Sequence, residues 1–287
     1  MPNIAESLKK AAAVLDSAGV LDPRREAVSL LCFALGTDRA FLIAHPEYEL
    51  STDEAGYFAS IVTRRSGREP YHHITGVKEF YGLDFAVSPD VLIPRPETEM
   101  LVSKSIEILG KSEKPAFCEI GIGSGCISVS VLHHLEAAAA VGVDVSETAI
   151  AIARRNAESN GVGDRLELLL SDIFEELGGR CFDLVVSNPP YIAVKDIAAL
   201  QPEVRDFEPA GALTDGADGV SIIEKIVRQS PGFLKAGGSL VLEIGIGQAD
   251  NVTSMFDSGI WENIDVVPDF QGIPRMAVAS LKSKRTN

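Results

Sequence analysis

No stretch of the 287-residue chain comes near the roughly 20 uninterrupted apolar residues that a membrane-spanning helix requires. The start of the chain also lacks a basic patch followed by an apolar signal core. A soluble protein without a membrane role, located in the cytoplasm, is the expectation. The four cysteines (Cys32, Cys118, Cys126, Cys181) show no C-x-x-C spacing, which removes the common zinc and redox signatures. Cys118, Cys126 and Cys181 lie in apolar or glycine-rich stretches and are expected as buried, reduced thiols. His72-His73 and His133-His134 are adjacent pairs without a third ligand, so no metal is expected. Basic side chains are also scarce: 26 Lys and Arg face 41 Asp and Glu, and the formal charge of −15 repels polyphosphates. Stable nucleic-acid binding is therefore not expected, and the cluster Arg64, Arg65, Arg68 reads as a solvated helix end.

The apolar share of 46% can fill the core of one large or two modest domains. Residues 1–76 carry helical signals only. Asn3 to Glu6 and Ser51 to Glu54 have the spacing of capping boxes, and Ala27, Leu30, Leu31 and Ala34 share one helical face. Residues 77–96 form a linker. Val77 to Val87 alternates around Tyr81-Gly82, which predicts a hairpin, and Pro89, Pro94 and Pro96 then interrupt the chain. From residue 97 to 287 apolar runs alternate with amphipathic segments, the pattern of an α/β fold with a mostly parallel sheet. The predicted strands are Ala116 to Ile120, Ala139 to Val145, Leu166 to Leu170, Phe182 to Ser187 and Ser239 to Ile244. Ile264 to Val267 and Met276 to Ser280 flank a Gly-Pro turn and read as an antiparallel edge pair.

The first of these strands runs into Glu119, Gly121, Ile122, Gly123, Ser124 and Gly125, and a helical segment follows at once. Glycines at alternate positions allow a sharp turn and close approach to a ligand at the carboxyl edge of an open sheet. The G-x-G-x-G spacing differs from the dinucleotide fingerprint G-x-G-x-x-G. Asp144 ends the next strand, where a carboxylate can accept from both hydroxyls of a ribose, and Asp172 ends the third, where it suits an exocyclic adenine amine. Ser146 can cap the following helix, a structural use that leaves Asp144 idle. Several acids at one crevice disfavour a phosphate-bearing cofactor. They suit S-adenosyl-L-methionine, whose product is S-adenosyl-L-homocysteine, with Glu119 facing the amino group.

The fourth strand empties into Asn188, Pro189, Pro190 and Tyr191. The prolines remove backbone N–H groups, so this turn is rich in carbonyl acceptors and poor in donors. An NH2 ligand can divide its hydrogens between the Asn188 side-chain oxygen and the Pro189 carbonyl, which fixes the plane of the acceptor nitrogen. Positive charge passes to that nitrogen during transfer, and the two oxygens then bind it more strongly than in the ground state. Tyr191 is expected to stack on the flat acceptor.

The chain resembles the release factor glutamine methyltransferases, a branch of the class I methyltransferases, over almost its whole length. The similarity is carried by Pro94 to Glu99, Glu119 to Ile127, Asn188 to Tyr191, Phe207 to Pro209 with Ala212, Leu213, Asp218 and Gly219, Glu243 to Gly245 with Gln248, and Asp269 to Arg275. It implies a Rossmann-like sheet of seven strands behind a small all-helical N-terminal domain that docks the substrate. It also implies cofactor contacts at Gly121 to Gly125, Asp144 and Asp172, and substrate contacts at Asn188, Pro189, Pro190 and Tyr191. The acceptor it implies is the glutamine N5 of the Gly-Gly-Gln motif in class 1 peptide chain release factors. Two positions depart from the family pattern: Ile173, beside the adenine, stands where relatives often have an aromatic, and Phe207 replaces a frequent tyrosine. A related branch that methylates a ribosomal protein shares the turn but departs from the Pro94 to Glu99 segment. An N6-adenine methyltransferase of DNA or RNA could use the same turn after base flipping, against the acidic charge. A scaffold without catalysis has no use for a donor-poor pocket.

Overall fold

The structure is a computed structural model and describes residues 1–283. The chain folds into two compact units, Met1–Gly76 with Gln201–Phe207 in one and Val77–Leu200 with Glu208 onward in the other.

The first unit holds α1 (Ile4–Ser17), α2 (Pro23–Leu35), α3 (Arg39–Ala44), α4 (Thr52–Ser66) and α5 (Tyr71–Thr75). Asn3 caps α1 by accepting from Glu6 N at 2.9 Å, and Ser51 with Glu54 forms a full capping box on α4. Ala27, Leu30 and Leu31 point inward against Leu15, Phe58 and Ile61. The short helices α3 and α5 have too few turns to show a periodicity in sequence. Arg64 is exposed at the end of α4 as expected, but Arg65 and Arg68 differ from their reading as a solvated helix end. Arg65 is only 5% exposed, donating to Glu26 at 3.0 Å and to Glu203 at 3.0 Å, while Arg68 Nε donates to Glu203 at 2.8 Å. These guanidinium groups hold the later segment Gln201–Phe207, which contains α9 (Pro202–Arg205), to the helices of the unit. No local pattern announces a partner more than a hundred residues away.

The second unit opens with the hairpin β1 (Val77–Phe80) and β2 (Leu83–Ala86). Tyr81 and Gly82 at its turn both have positive φ, 53° and 78°, the conformation whose twist matches paired strands. The main chain continues through α6 (Glu99–Leu109), β3 (Ala116–Ile120), α7 (Cys126–His134), β4 (Ala139–Asp144), α8 (Glu147–Ser159), β5 (Leu166–Leu170) and β6 (Phe182–Ser187). After the excursion through α9 it follows α10 (Ala210–Leu213), α11 (Ser221–Gln229), β7 (Leu234–Glu243), α12 (Ala249–Ser254), β8 (Trp261–Pro268) and β9 (Pro274–Leu281).

The seven strands lie in the order β5-β4-β3-β6-β7-β9-β8. Neighbours from β5 to β7 are parallel, and β9 is antiparallel to both β7 and β8, as expected from the Gly-Pro turn. Alternate residues of one strand enter opposite cores: Leu184 and Val186 join Phe117, Val129 and Leu132, whereas Val185 joins Cys118, Val143 and Ile223. Burial on both faces explains the unbroken apolar runs. β7 begins five residues before its predicted start at Ser239, and Gly237 and Gly238 lie inside the strand. Cys118 is buried, but Cys126 is half-buried and Cys181 exposed, contrary to expectation. Cys181 immediately precedes β6, where the chain is still entering the sheet.

Candidate active site

The strand order reverses between β3 and β6, so the crevice at their carboxyl ends is where an open α/β sheet receives a ligand. A cavity of about 280 Å³ lies there, entirely within the second unit. Its walls include Glu119, Ile122, Asp144, Ile173 and Asn188.

After β3 the loop turns with Gly121, Gly123 and Gly125 all at positive φ (72°, 52° and 80°), a conformation that costs glycine nothing and other residues about 1 kcal/mol or more. Gly121 N and Ile122 N both donate to Val143 O at 2.9 Å, which ties the loop to β4. Glu119 is 1% exposed and accepts from Ser128 N, in the first turn of α7, at 2.8 Å. Burial pushes its carboxyl up to about 8, the Ser128 bond opposes the rise, and the charge of Asp144 adds to it. A desolvated carboxylate held by one backbone donor suits a cationic ligand group.

Asp144 has a structural task that no local pattern discloses. Its Oδ2 accepts from Gly123 N at 2.9 Å and its Oδ1 from Ser146 N at 3.0 Å, so it holds the glycine loop and the start of α8 together. Each carboxylate oxygen keeps a further lone pair for a hydroxyl donor. Ser146 does cap α8, accepting from Ala149 N at 3.2 Å. Asp172 is exposed at the rim, and Ile173 is buried with φ at 52°. A β-branched residue at positive φ is strained by about 1–3 kcal/mol, and this one presents its side chain to the cavity wall. Of the residues expected to touch the cofactor, Gly125 alone does not line the cavity; it acts as the cap residue of α7.

At the end of β6, Ser187 Oγ donates to Ile120 O at 2.7 Å and fixes the approach to the turn. Asn188 Nδ2 donates to Thr98 Oγ1 at 3.1 Å. Thr98 Oγ1 in turn donates to Glu243 Oε2 at 2.7 Å, and Tyr191 OH donates to Glu243 Oε1 at 3.1 Å. Burial raises the Glu243 carboxyl against the pull of those two bonds. Burial, followed by the charge of Glu243, raises the Tyr191 phenol. Gln248 Nε2 donates to Tyr191 O at 2.9 Å and to Gly219 O at 3.2 Å, while Gln248 Oε1 accepts from Gly245 N at 2.8 Å. Among the described residues nothing donates to Asn188 Oδ1 or Pro189 O, and Asn188, Pro189 and Pro190 all line the cavity.

Tyr191 does not line that cavity; its edge packs on Gly245 and its hydroxyl is committed to Glu243. The turn carries the ring toward β7, where its hydroxyl meets a buried carboxylate.

Asn156, Arg95 and Glu208 are given no individual role by the sequence. Asn156 on α8 accepts from Ala86 N and donates to Ala86 O and Ser124 O, at 2.7, 3.0 and 2.8 Å, joining hairpin to glycine loop. Its signal is an amide on the buried face formed by Ala149, Ala153 and Ala157. Arg95 lines the cavity and pairs with the buried Glu208 at 2.5 Å; burial raises that carboxyl and Arg95 opposes the shift.

Two family models match the chain, the PrmC N-terminal domain over residues 6–76 and the methyltransferase small domain over residues 98–203. The release factor glutamine methyltransferase of Geobacter sulfurreducens is 44% identical over 258 residues, covering 90% of this chain and 89% of its own length. The protein of the same name from Koribacter versatilis is 40% identical over 265 residues, covering 92% and 93%. A methyltransferase crystal structure from Pyrococcus furiosus superposes with a TM-score of 0.53 at 18% identity, covering 80% of this chain and 99% of that one, a likeness of fold alone.

Proposed function

The chain belongs to the release factor glutamine methyltransferases, and from that premise we propose how its cavity moves a methyl group to the N5 nitrogen of the Gly-Gly-Gln glutamine in a class 1 peptide chain release factor. When bound, S-adenosyl-L-methionine supplies a methyl group on cationic sulfur. Glu119 would hold its amino group, Asp144 the ribose hydroxyls, Asp172 the adenine amine and Ile173 the adenine face. This acidic, partly desolvated donor set fits a zwitterionic sulfonium and repels a phosphate.

The chain's own work at the acceptor is orientation. A carboxamide nitrogen is a weak nucleophile, because its lone pair is delocalised into the carbonyl. Asn188 Oδ1 and the Pro189 carbonyl accept its two hydrogens and hold its plane, so the rate comes from alignment and from charge stabilisation. As positive charge grows on nitrogen, both bonds strengthen more than in the ground state. The extra proton of the methylated amide is acidic enough to leave to water, so no strong base is required of the turn. Pro190 stiffens the bend and Tyr191 anchors it.

The observation that carries this reading is a pair of uncommitted acceptor oxygens, Asn188 Oδ1 and Pro189 O, on the wall of a cavity that also contains Glu119 and Asp144. Residues 1–76 are assigned to docking of the release factor, and the place of action is the cytoplasm, where translation terminates. No helix among the described residues is long and apolar enough to cross a membrane. The test is incubation of the protein with labelled cofactor and an intact release factor, followed by peptide mass spectrometry. One methyl group on the Gly-Gly-Gln glutamine is expected; label on another residue, or on added RNA or DNA alone, contradicts the assignment.

A further inference from the structure

An asparagine side chain can present either its oxygen or its NH2 group to a ligand, and the two orientations have nearly the same shape. Only the oxygen serves an incoming NH2. Something in the protein must therefore prevent the Asn188 amide from turning over, and the hydrogen bonds behind it supply the means.

We propose that Thr98 and Glu243 are positioning residues for methyl transfer: Glu243 accepts the one hydrogen bond that the Thr98 hydroxyl can donate, which leaves that hydroxyl able only to accept from Asn188 Nδ2 and so turns Asn188 Oδ1 toward the substrate. The proposal rests on the assignment of Asn188 made above. Thr98 is 2% exposed and Glu243 1% exposed, so bulk water does not compete for either group. The hydroxyl has one hydrogen, and it lies between two partners at 2.7 and 3.1 Å. If the amide turned over, its oxygen would face the lone pairs of Thr98 with no hydrogen between them, and a buried donor would lose its partner. Tyr191 OH occupies the other Glu243 oxygen at 3.1 Å, so both carboxylate oxygens have donors in the ionised state. Burial opposes that state, as does the charge of Glu97, while the bonds from Thr98 and Tyr191 and the charge of Arg275, on β9, favour it.

The relay joins three separate elements: the turn before α6, the end of β7 and the bend after β6. It gives Thr98, within the Pro94 to Glu99 segment, a task at the reacting centre. It also gives the Tyr191 hydroxyl a partner in the same network.

The experiment uses the full chain with three variants, Thr98→Val, Thr98→Ser and Glu243→Gln. Three quantities are read: kcat with an intact release factor, cofactor Kd by calorimetry, and exchange of the Asn188 side-chain amide protons by NMR with cofactor bound. Thr98→Val keeps the shape and removes the hydroxyl. It should lower kcat by about tenfold to a hundredfold, keep cofactor Kd within about twofold of wild type and speed the amide exchange. Thr98→Ser restores the hydroxyl and should recover most of kcat and the slow exchange. Glu243→Gln can donate to Thr98 and reverse the direction of the relay, so it should lower kcat at least about tenfold; it also serves if Thr98→Val does not fold. Full kcat in Thr98→Val or Glu243→Gln, equal damage in Thr98→Ser, or cofactor Kd rising in step with the loss of kcat would overturn the proposal. A wild-type protein that methylates no release factor contradicts the functional reading instead, while unprotected Asn188 amide protons in that protein overturn the relay on their own.

Discussion

Replacing Glu119 by glutamine should abolish the proton release that accompanies cofactor binding below about pH 8. In the free protein, burial raises the Glu119 carboxyl from 4.5 to about 8, so the native state holds a proton that the unfolded chain releases in that window. The stability of the free protein therefore falls as pH rises from 4.5 toward 8, because the unfolded state binds fewer protons there. At about 1.36 kcal/mol per unit the full effect is of the order of 5 kcal/mol, an upper bound for a site that can relax or admit water. Binding of an α-ammonium requires the ionised carboxyl, so complex formation below about pH 8 should release close to one proton. The association constant should rise nearly tenfold per unit between about pH 6 and 7.5, then level off as the ligand's own amino group, with an ordinary value of about 8, begins to lose its proton. Titration calorimetry in two buffers of different ionisation enthalpy counts the protons directly. Glu119→Gln should release none, should bind about ten- to a hundredfold more weakly at pH 8, and should melt at a higher temperature than wild type at that pH when no cofactor is present. Equal proton release by variant and wild type would refute the reasoning.

Asp144→Ala should weaken cofactor binding by about a hundredfold or more, since it removes a carboxylate that accepts hydroxyls and also frees Gly123 N and Ser146 N; unchanged affinity in calorimetry would remove its ribose role. Gly219→Ala should cost about 2–4 kcal/mol, because φ is +85° and a Cβ would lie 2.3 Å from Tyr191 O. A melting temperature within a degree of wild type would show that the loop yields freely. Glu203→Ala leaves Arg65 with the Glu26 carboxylate and the Glu69 carbonyl and strips Arg68 of its carboxylate; a loss of about 2–3 kcal/mol is expected, read from denaturant unfolding, and a neutral result would mean that water takes the place of Glu203.

The regular parts of the fold are legible because their signals are local. Leu166–Leu170 and Phe182–Ser187 can be placed to the residue, since each mostly apolar run stops where polar residues begin. The glycine loop and the donor-poor turn are legible for the same reason: their chemistry lies in consecutive residues. What stays hidden depends on pairing across the chain. Arg65 looks like a surface charge until Glu203 arrives from 138 positions away, and Thr98 looks like a helix-start residue until Glu243 and Asn188 close on it from other strands. The bond from Tyr191 to Glu243 is equally hidden, because the position of Tyr191 in the bend says nothing of the direction in which the bend turns its ring. Asp144 reads only as a ligand group, since backbone donors from a separate loop leave no trace in a residue pattern.

The acceptor geometry is tested most directly by Asn188→Ala, with methyl transfer to an intact release factor and cofactor Kd measured on the same preparation. Loss of the side-chain oxygen should lower kcat by about a hundredfold or more, while cofactor Kd stays within about twofold of wild type. Undiminished transfer, or an equal decline of transfer and cofactor affinity, would contradict the assignment of that oxygen to the substrate.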